Sequence, residues 1–186
     1  QQGGSVTING DEFRRFHPRN DQIKRQHGKD AAFYTDKDSA RWIERLIQET
    51  QKRKINVILE GTMRRPEITL KTAEAYRSSG FDVSASIMAT HPAQSWLRVH
   101  QRYERGLAKN PDDARFTQKH SHDVAVIGVR DTVQAIEAHH AFQSLTLYQS
   151  DQGQVSTIYH NQRDRQTGEW IKAPHGHQTL TKLHET

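Results

Sequence analysis

Three observations predict an α/β fold with a parallel sheet flanked by helices. The β-branched apolar run Ile55–Leu59 ends in Glu60, Gly61, Thr62, Arg64 and Arg65. It reads as a strand buried on both faces that delivers polar groups past its carboxyl end. Strand-like and helix-like segments alternate along the chain, a pattern that implies parallel strands joined by right-handed crossovers. Hydrophobic residues make up only 33% of the 186 residues, so the core must be concentrated in those few segments.

The elements follow in order. Gln1–Ser5 reads as the tail of something earlier, with a Gly-Gly turn. Val6–Ile8 is a short strand, broken by the turn chemistry of Asn9, Gly10, Asp11 and Glu12. Asp11 thus sits at a strand's carboxyl end, as Glu60 does on its own strand. Phe13–Asp21 is irregular, basic and stopped by Pro18. Thr35–Lys54 is a helix with capping-box spacing between Thr35 and Asp38. Its sheet-facing stripe is Ala40, Ile43, Leu46 and Ile47, and Arg53 and Lys54 suit its negative end.

Pro66 opens a second helix, with Ile68, Thr72, Ala75 and Tyr76 on one side and Gly80 as its C-cap. Phe81–Ala89 alternates as a third strand. Pro92 begins a helix to about Lys109, with an apolar stripe of Trp96, Val99, Tyr103 and Leu107. Asn110–Asp113 is a turn, and Ala114–His122 is a basic segment that contains Arg115. His122–Val129 and Asp131–His140 read as helical, and Ser144–Gln149 as a fourth strand. Gly153 turns into a short strand at Val155–Tyr159, and a weak helix starts at Gln178.

Composition excludes several classes. The chain has no cysteine, hence no disulfide framework, thiolate nucleophile or cysteine zinc site. No apolar run approaches a membrane span and no signal-peptide pattern opens the chain, so no membrane partner and a cytoplasmic location are expected. The length suits a single domain over residues 1–186. A net charge of +5 and a pI near 9.6 favour anionic partners, without separating nucleic acid from a nucleotide or an acidic protein.

Three constellations could carry chemistry. Asp11 and Glu60 stand at two strand ends, where open α/β sheets bind ligands. One carboxylate could act as base while the other holds a substrate hydroxyl or a metal-bound water. Arg102, on the helix after Pro92, and Arg115, beyond it, could close on a transferring phosphoryl group, as lid arginines do. The alternative is a solvated helix face, since Arg98, Arg102 and Arg105 form a row at steps of four and three. The histidines His120, His122, His139, His140, His175 and His177, with Asp123, lack a third ligand at fixed spacing and read as surface residues; no metal site is assigned.

Four segments in order resemble the zeta toxins, the kinase half of epsilon/zeta toxin–antitoxin systems. Ile8–Pro18 resembles the family's acidic segment after a strand. Val57–Arg64 is similar to its Glu-Gly-Thr motif. Arg102–Glu104 is similar to its lid-helix motif, and Ala114–Thr117 with His122 and Asp123 to the lid segment that follows. The match runs from about Val6 to Tyr148. It implies a P-loop kinase-like fold and phosphate transfer from ATP or GTP, with Mg, to the 3′-hydroxyl of UDP-N-acetylglucosamine, which poisons the supply of cell-wall precursor. Asp11 would be the catalytic base and Glu60 the acid that orients the acceptor. Arg102 and Arg115 would neutralise the moving phosphoryl group, and Thr62 and Arg64 would be substrate contacts. The implied partners are the sugar nucleotide and an epsilon-type antitoxin; no specific nucleic acid is implied.

The chain departs from the family in one respect. Gly-x-x-x-x-Gly-Lys-Ser/Thr occurs nowhere in it, so the first strand and phosphate loop of such a fold are absent. The kinase domain is therefore expected to be N-terminally incomplete, with unpaired strand edges and a complementing N-terminal segment filling the gap. The alternative is a non-enzymatic, P-loop-less relative that binds a nucleotide sugar or a protein partner.

Overall fold

The computed structural model describes residues 4–111, 114–151 and 153–186. The fold is α/β, with parallel strand pairs flanked by helices. Two compact units are drawn from Gln1–Gly61 with Leu97–Gln118, and from Thr62–Trp96 with Lys119–Thr186. The expected tail at Gln1–Ser5 and turn at Asn110–Asp113 fall partly outside the described residues.

In the first unit, β1 (Val6–Asn9) pairs in parallel with β2 (Val57–Glu60), which sets Asn9 opposite Glu60. Among the described residues β2 pairs with β1 alone, which leaves Ile58 52% and Leu59 42% exposed. The expectation that this strand is buried on both faces is therefore corrected: a strand with one neighbour and few residues above it keeps its apolar side chains in the open.

Beyond β1 the expected turn is a single helical turn, α1 (Gly10–Phe13), capped by the Asn9 side chain. A 3₁₀ turn at Arg14–Phe16 and the start of a helix, α2 (Asn20–His27), stand within Phe13–Asp21, which was expected to be irregular. Pro18 precedes α2, where a missing N–H breaks nothing. A second 3₁₀ turn at Gly28–Asp30 leads into α3 (Ala31–Lys52), which starts a full turn earlier than its capping-box spacing suggested. Thr35 is not a cap. It is 3% exposed inside the helix, and its hydroxyl donates to the Ala32 carbonyl at 3.2 Å. Ile43, Leu46 and Ile47 are half-buried, but Ala40 is exposed and Ser39 takes the inward place.

The second unit holds a three-stranded sheet. β3 (Ser84–Met88) runs parallel to β4 (Ser144–Asp151), and β4 runs antiparallel to β5 (Gln154–Gln162) around Gly153. Ala85 and Ile87 face inward by strand alternation, and Leu145, Thr146 and Leu147 are buried in succession. α4 (Pro66–Ser78) packs through Ala73 and Tyr76, whereas Ile68 and Ala75 of the expected stripe are exposed. α5 (Pro92–Lys109) keeps its expected bounds; Pro92–Trp96 belong to this unit and the rest to the first.

α6 (Lys119–Ala138) is continuous where two helices were expected. It centres the core with Val133 and Ile136, both fully buried beside Leu145, Leu147 and Leu180. α7 (Gly176–Glu185) begins earlier than Gln178 because Glu137 of α6 caps it. The Glu137 carboxylate accepts from the Gly176 N–H at 2.6 Å and the His177 N–H at 3.1 Å. An anion at a helix N-terminus meets both its free donors and its dipole, and no local sequence signal on α7 records it.

His184 of α7 is partly buried, and its imidazole pKa is lowered to about 4, first by burial and then by the Arg130 and His91 charges. The folded state therefore binds fewer protons than the unfolded chain between about pH 4 and the ordinary histidine value near 6.5. Stability contributed by neutral His184 is present above that window and falls as pH drops through it. His184→Gln is expected to flatten the fall in Tm between about pH 6.5 and 4.5. Parallel melting profiles for the two proteins would show that His184 is not the group responsible.

Candidate functional site

The carboxylates of the first unit are set by local rules. β1 ends in Asn9, a favoured N-cap, and after Gly10 the first turn carries Asp11 and Glu12, which suits the positive end of α1. The Asn9 side-chain carbonyl accepts from the Asp11 N–H at 3.0 Å, while its amide donates to Glu60 Oε2 at 2.7 Å. One asparagine therefore ties both acids together across the β1–β2 pair. α3 holds this corner from below. Ser39 Oγ donates to the Gly10 carbonyl at 2.8 Å, and a Cβ on Gly10 would stand 2.7 Å from Ile43 Cδ1. A larger residue at Gly10 would need the Ile43 side chain to give way.

Two arginines meet the Asp11 carboxylate. Arg14 Nε donates to Oδ1 at 3.2 Å, and Arg115 NH1 lies 3.3 Å from the same oxygen. Arg14 is anchored: its NH1 donates to Thr35 Oγ1 at 2.8 Å and to the Ala32 carbonyl, and its NH2 pairs with Asp36. Its side chain is 16% exposed, against 50% for Arg115, so Arg14 is a fixed strut and Arg115 an accessible cation. His17 secures the chain that follows, accepting from the Arg19 N–H at 3.1 Å and facing Asp38 at 3.1 Å.

Arg115 is placed by its neighbours. Phe116 packs edge-on against His100 and Tyr103 of α5, each with ring centroids 5.3 Å away. Gln118 donates to Asp30 at 3.1 Å. Arg102 NH2 donates to Thr117 Oγ1 at 3.0 Å, so both arginines belong to one hydrogen-bonded arrangement of α5 and the segment after it. Asp11, Glu60 and Arg115 are thus brought together directly or through Asn9, and Arg102 supports the same segment. Sequence reading missed Asn9 and Arg14. For Asn9 the signal was there in its N-cap chemistry before an acidic pair; Arg14 carried none.

Thr62 and Arg64 belong to the second unit, where they precede α4; Thr62 is exposed and Arg64 half-buried. His122 is not the surface residue expected but is 6% exposed, with Nδ1 3.0 Å from Asp123, while His139 Nε2 lies 3.0 Å from Glu74. Asp123 is held below the usual carboxylate range, first by its hydrogen bond from Lys119 and then by His122. Among the described residues no group of three or more acids and histidines is placed to hold a metal ion, and no helix is long and apolar enough to cross a membrane.

The chain is similar to known proteins over most of its length. The toxin PezT of Streptococcus pneumoniae serotype 4 (strain ATCC BAA-334 / TIGR4) is 33% identical over 154 residues, covering 83% of this chain and 61% of that protein. The toxin zeta of Enterococcus hirae is 29% identical over 147 residues, covering 79% of this chain and 51% of its own length. A solved structure from a characterization of the PezAT chromosomal toxin–antitoxin system of Streptococcus pneumoniae superposes with a TM-score of 0.79 at 27% identity. It covers 99% of this chain and 68% of that one. The chain therefore spans between about half and two thirds of the length of these relatives. The zeta toxin family model matches residues 1–164, which take in the Asn9–Asp11 corner, Glu60 and both arginines, and on that match the chain belongs to the zeta toxin family.

Proposed function

We propose that this chain is the acceptor-binding and catalytic-carboxylate part of a cytoplasmic kinase. It would transfer phosphate from ATP or GTP to the 3′-hydroxyl of UDP-N-acetylglucosamine and so poison cell-wall precursor supply. The observation that carries the reading is the Asp11 carboxylate, 3.3 Å from the accessible guanidinium of Arg115, on a residue whose backbone N–H is tied through the Asn9 side chain to Glu60. A general base, an arginine for phosphoryl oxygens and an acid to orient the acceptor are the parts such a transfer asks of a protein. In this reading Asp11 takes the acceptor proton, Glu60 holds the acceptor, Arg102 and Arg115 meet the phosphoryl charge, and Thr62 and Arg64 bind the sugar nucleotide.

The residues present do not fit the donor. No phosphate-cradling sequence occurs in the 186 residues. We assign the binding of magnesium and the donor phosphates to polypeptide beyond these residues, which would complete β2's open edge. An antitoxin of the epsilon type is the proposed protein partner, on the strength of the toxin–antitoxin system from which the similar structure comes.

Binding separates the two halves. UDP-N-acetylglucosamine at a hundredfold excess over its Kd is expected to stabilise the chain by about 2.7 kcal/mol, a rise in Tm of about 5–10 °C. ATP alone is expected to shift it little or not at all. A shift with ATP and none with the sugar nucleotide would reverse the assignment. Binding of the sugar nucleotide with no turnover, even beside a supplied phosphate loop, would favour a non-enzymatic relative.

A further inference from the structure

The segment after β2 is held by α6 in a way that no motif announces. Thr132 is fully buried, and its hydroxyl donates to the Met63 carbonyl at 2.6 Å. One turn earlier on the same helix face, Gly128 lies against the next peptide. A Cβ there would stand 2.1 Å from the Arg64 carbonyl oxygen and 2.7 Å from its carbon, so no other residue fits. Two successive carbonyls thus meet two positions of one helix. Met63 has φ 49°, in the left-handed region that a residue with a side chain adopts at a cost and keeps only when its surroundings enforce it. Arg65 follows in an extended conformation as the N-cap of α4, and Pro66 fixes the helix start. The backbone that carries Arg64 is therefore pinned from α6 and from α4.

We propose that Thr132 and Gly128 are positioning residues that lock Met63 and Arg64 into one backbone conformation and so aim Arg64 at an anionic sugar nucleotide. The aim rests on the acceptor reading given above; the lock does not. A guanidinium on a four-bond stem loses its bidentate geometry if its backbone is free to turn. Strain at Met63 is the signature of a conformation kept for what it presents rather than for its own stability.

Three variants of the full chain test this: Thr132→Val removes the hydroxyl at constant shape, Thr132→Ser keeps it, and Gly128→Ala adds the clashing carbon. Backbone amide order parameters for Met63, Arg64 and Arg65 are expected to fall from about 0.85 in the parent to below about 0.6 in Thr132→Val, and to recover in Thr132→Ser. The Kd for UDP-N-acetylglucosamine is expected to rise about tenfold in Thr132→Val and to return in Thr132→Ser, as loss of preorganisation predicts. Gly128→Ala should match Thr132→Val in both if it folds; Thr132→Val decides the matter if it does not. Unchanged order parameters in Thr132→Val would overturn the lock. Loosened amides with an unchanged Kd would overturn the aiming role. Absence of sugar-nucleotide binding by the parent chain would sink the acceptor reading, while the order parameters still decide the lock.

Discussion

Alanine at Arg115, or at Arg102, is expected to lower turnover by about 10³–10⁵ in a phosphate-loop-bearing form of the protein. Phosphoryl transfer leaves the protein little covalent work and much charge to stabilise. Arg115 is half-exposed and stands 3.3 Å from Asp11, so under the proposed reading the same guanidinium would reach phosphoryl oxygens beside the proposed base. Arg102 reaches the same segment through Thr117. If these arginines act only on the transition state, kcat falls while KM moves little. Lysine keeps the charge but loses the planar fork, and should restore only part of the rate. Arg98 and Arg105 share α5 and match no family motif, so their alanine variants should lose little. Equal, modest losses at all four positions would mean that the row is an ordinary charged surface.

Asp11→Asn is expected to lower turnover by about 10²–10⁴ with acceptor binding largely kept. The structure makes this a clean test. Asp11 is 57% exposed, and exposed ion pairs contribute only about 0–1 kcal/mol each, so losing those to Arg14 and Arg115 should barely move Tm. Asparagine keeps an acceptor oxygen for both arginines, and the Asp11 N–H still reaches Asn9. What is lost is the capacity to take a proton. Turnover within a factor of two of the parent would leave Asp11 with no role beyond opening α1.

Stretches governed by neighbours a few residues away were legible. α5 keeps the bounds expected from Pro92 and its apolar period, and β1, β3 and β4 fall where β-branched runs and alternation put them. The misreadings arose where a distant partner overrides a local rule. Thr35 has capping chemistry, but it lies inside α3, where its hydroxyl accepts from Arg14 rather than capping the helix. Ile58 and Leu59 have the composition of a core strand, yet burial depends on which strands lie alongside, and composition cannot express that.

The site divides in the same way. Asp11, Glu60, Arg102 and Arg115 could be named as candidates from residue type, strand-end position and motif order, because the proposed chemistry needs an acid or a guanidinium and the sequence displays both. Their mutual placement could not. Asn9 meets Glu60 across 51 residues of chain, and Thr132 meets Met63 across 69. Such contacts exist only once strands have paired and helices have docked. The sequence alone therefore determined which groups are available and which local elements carry them. The tertiary structure decided which acid shares an asparagine, which arginine is a strut, and which helix holds the backbone beneath Arg64, since hydrogen bonds and steric contacts act over a few ångström of space whatever the separation along the chain.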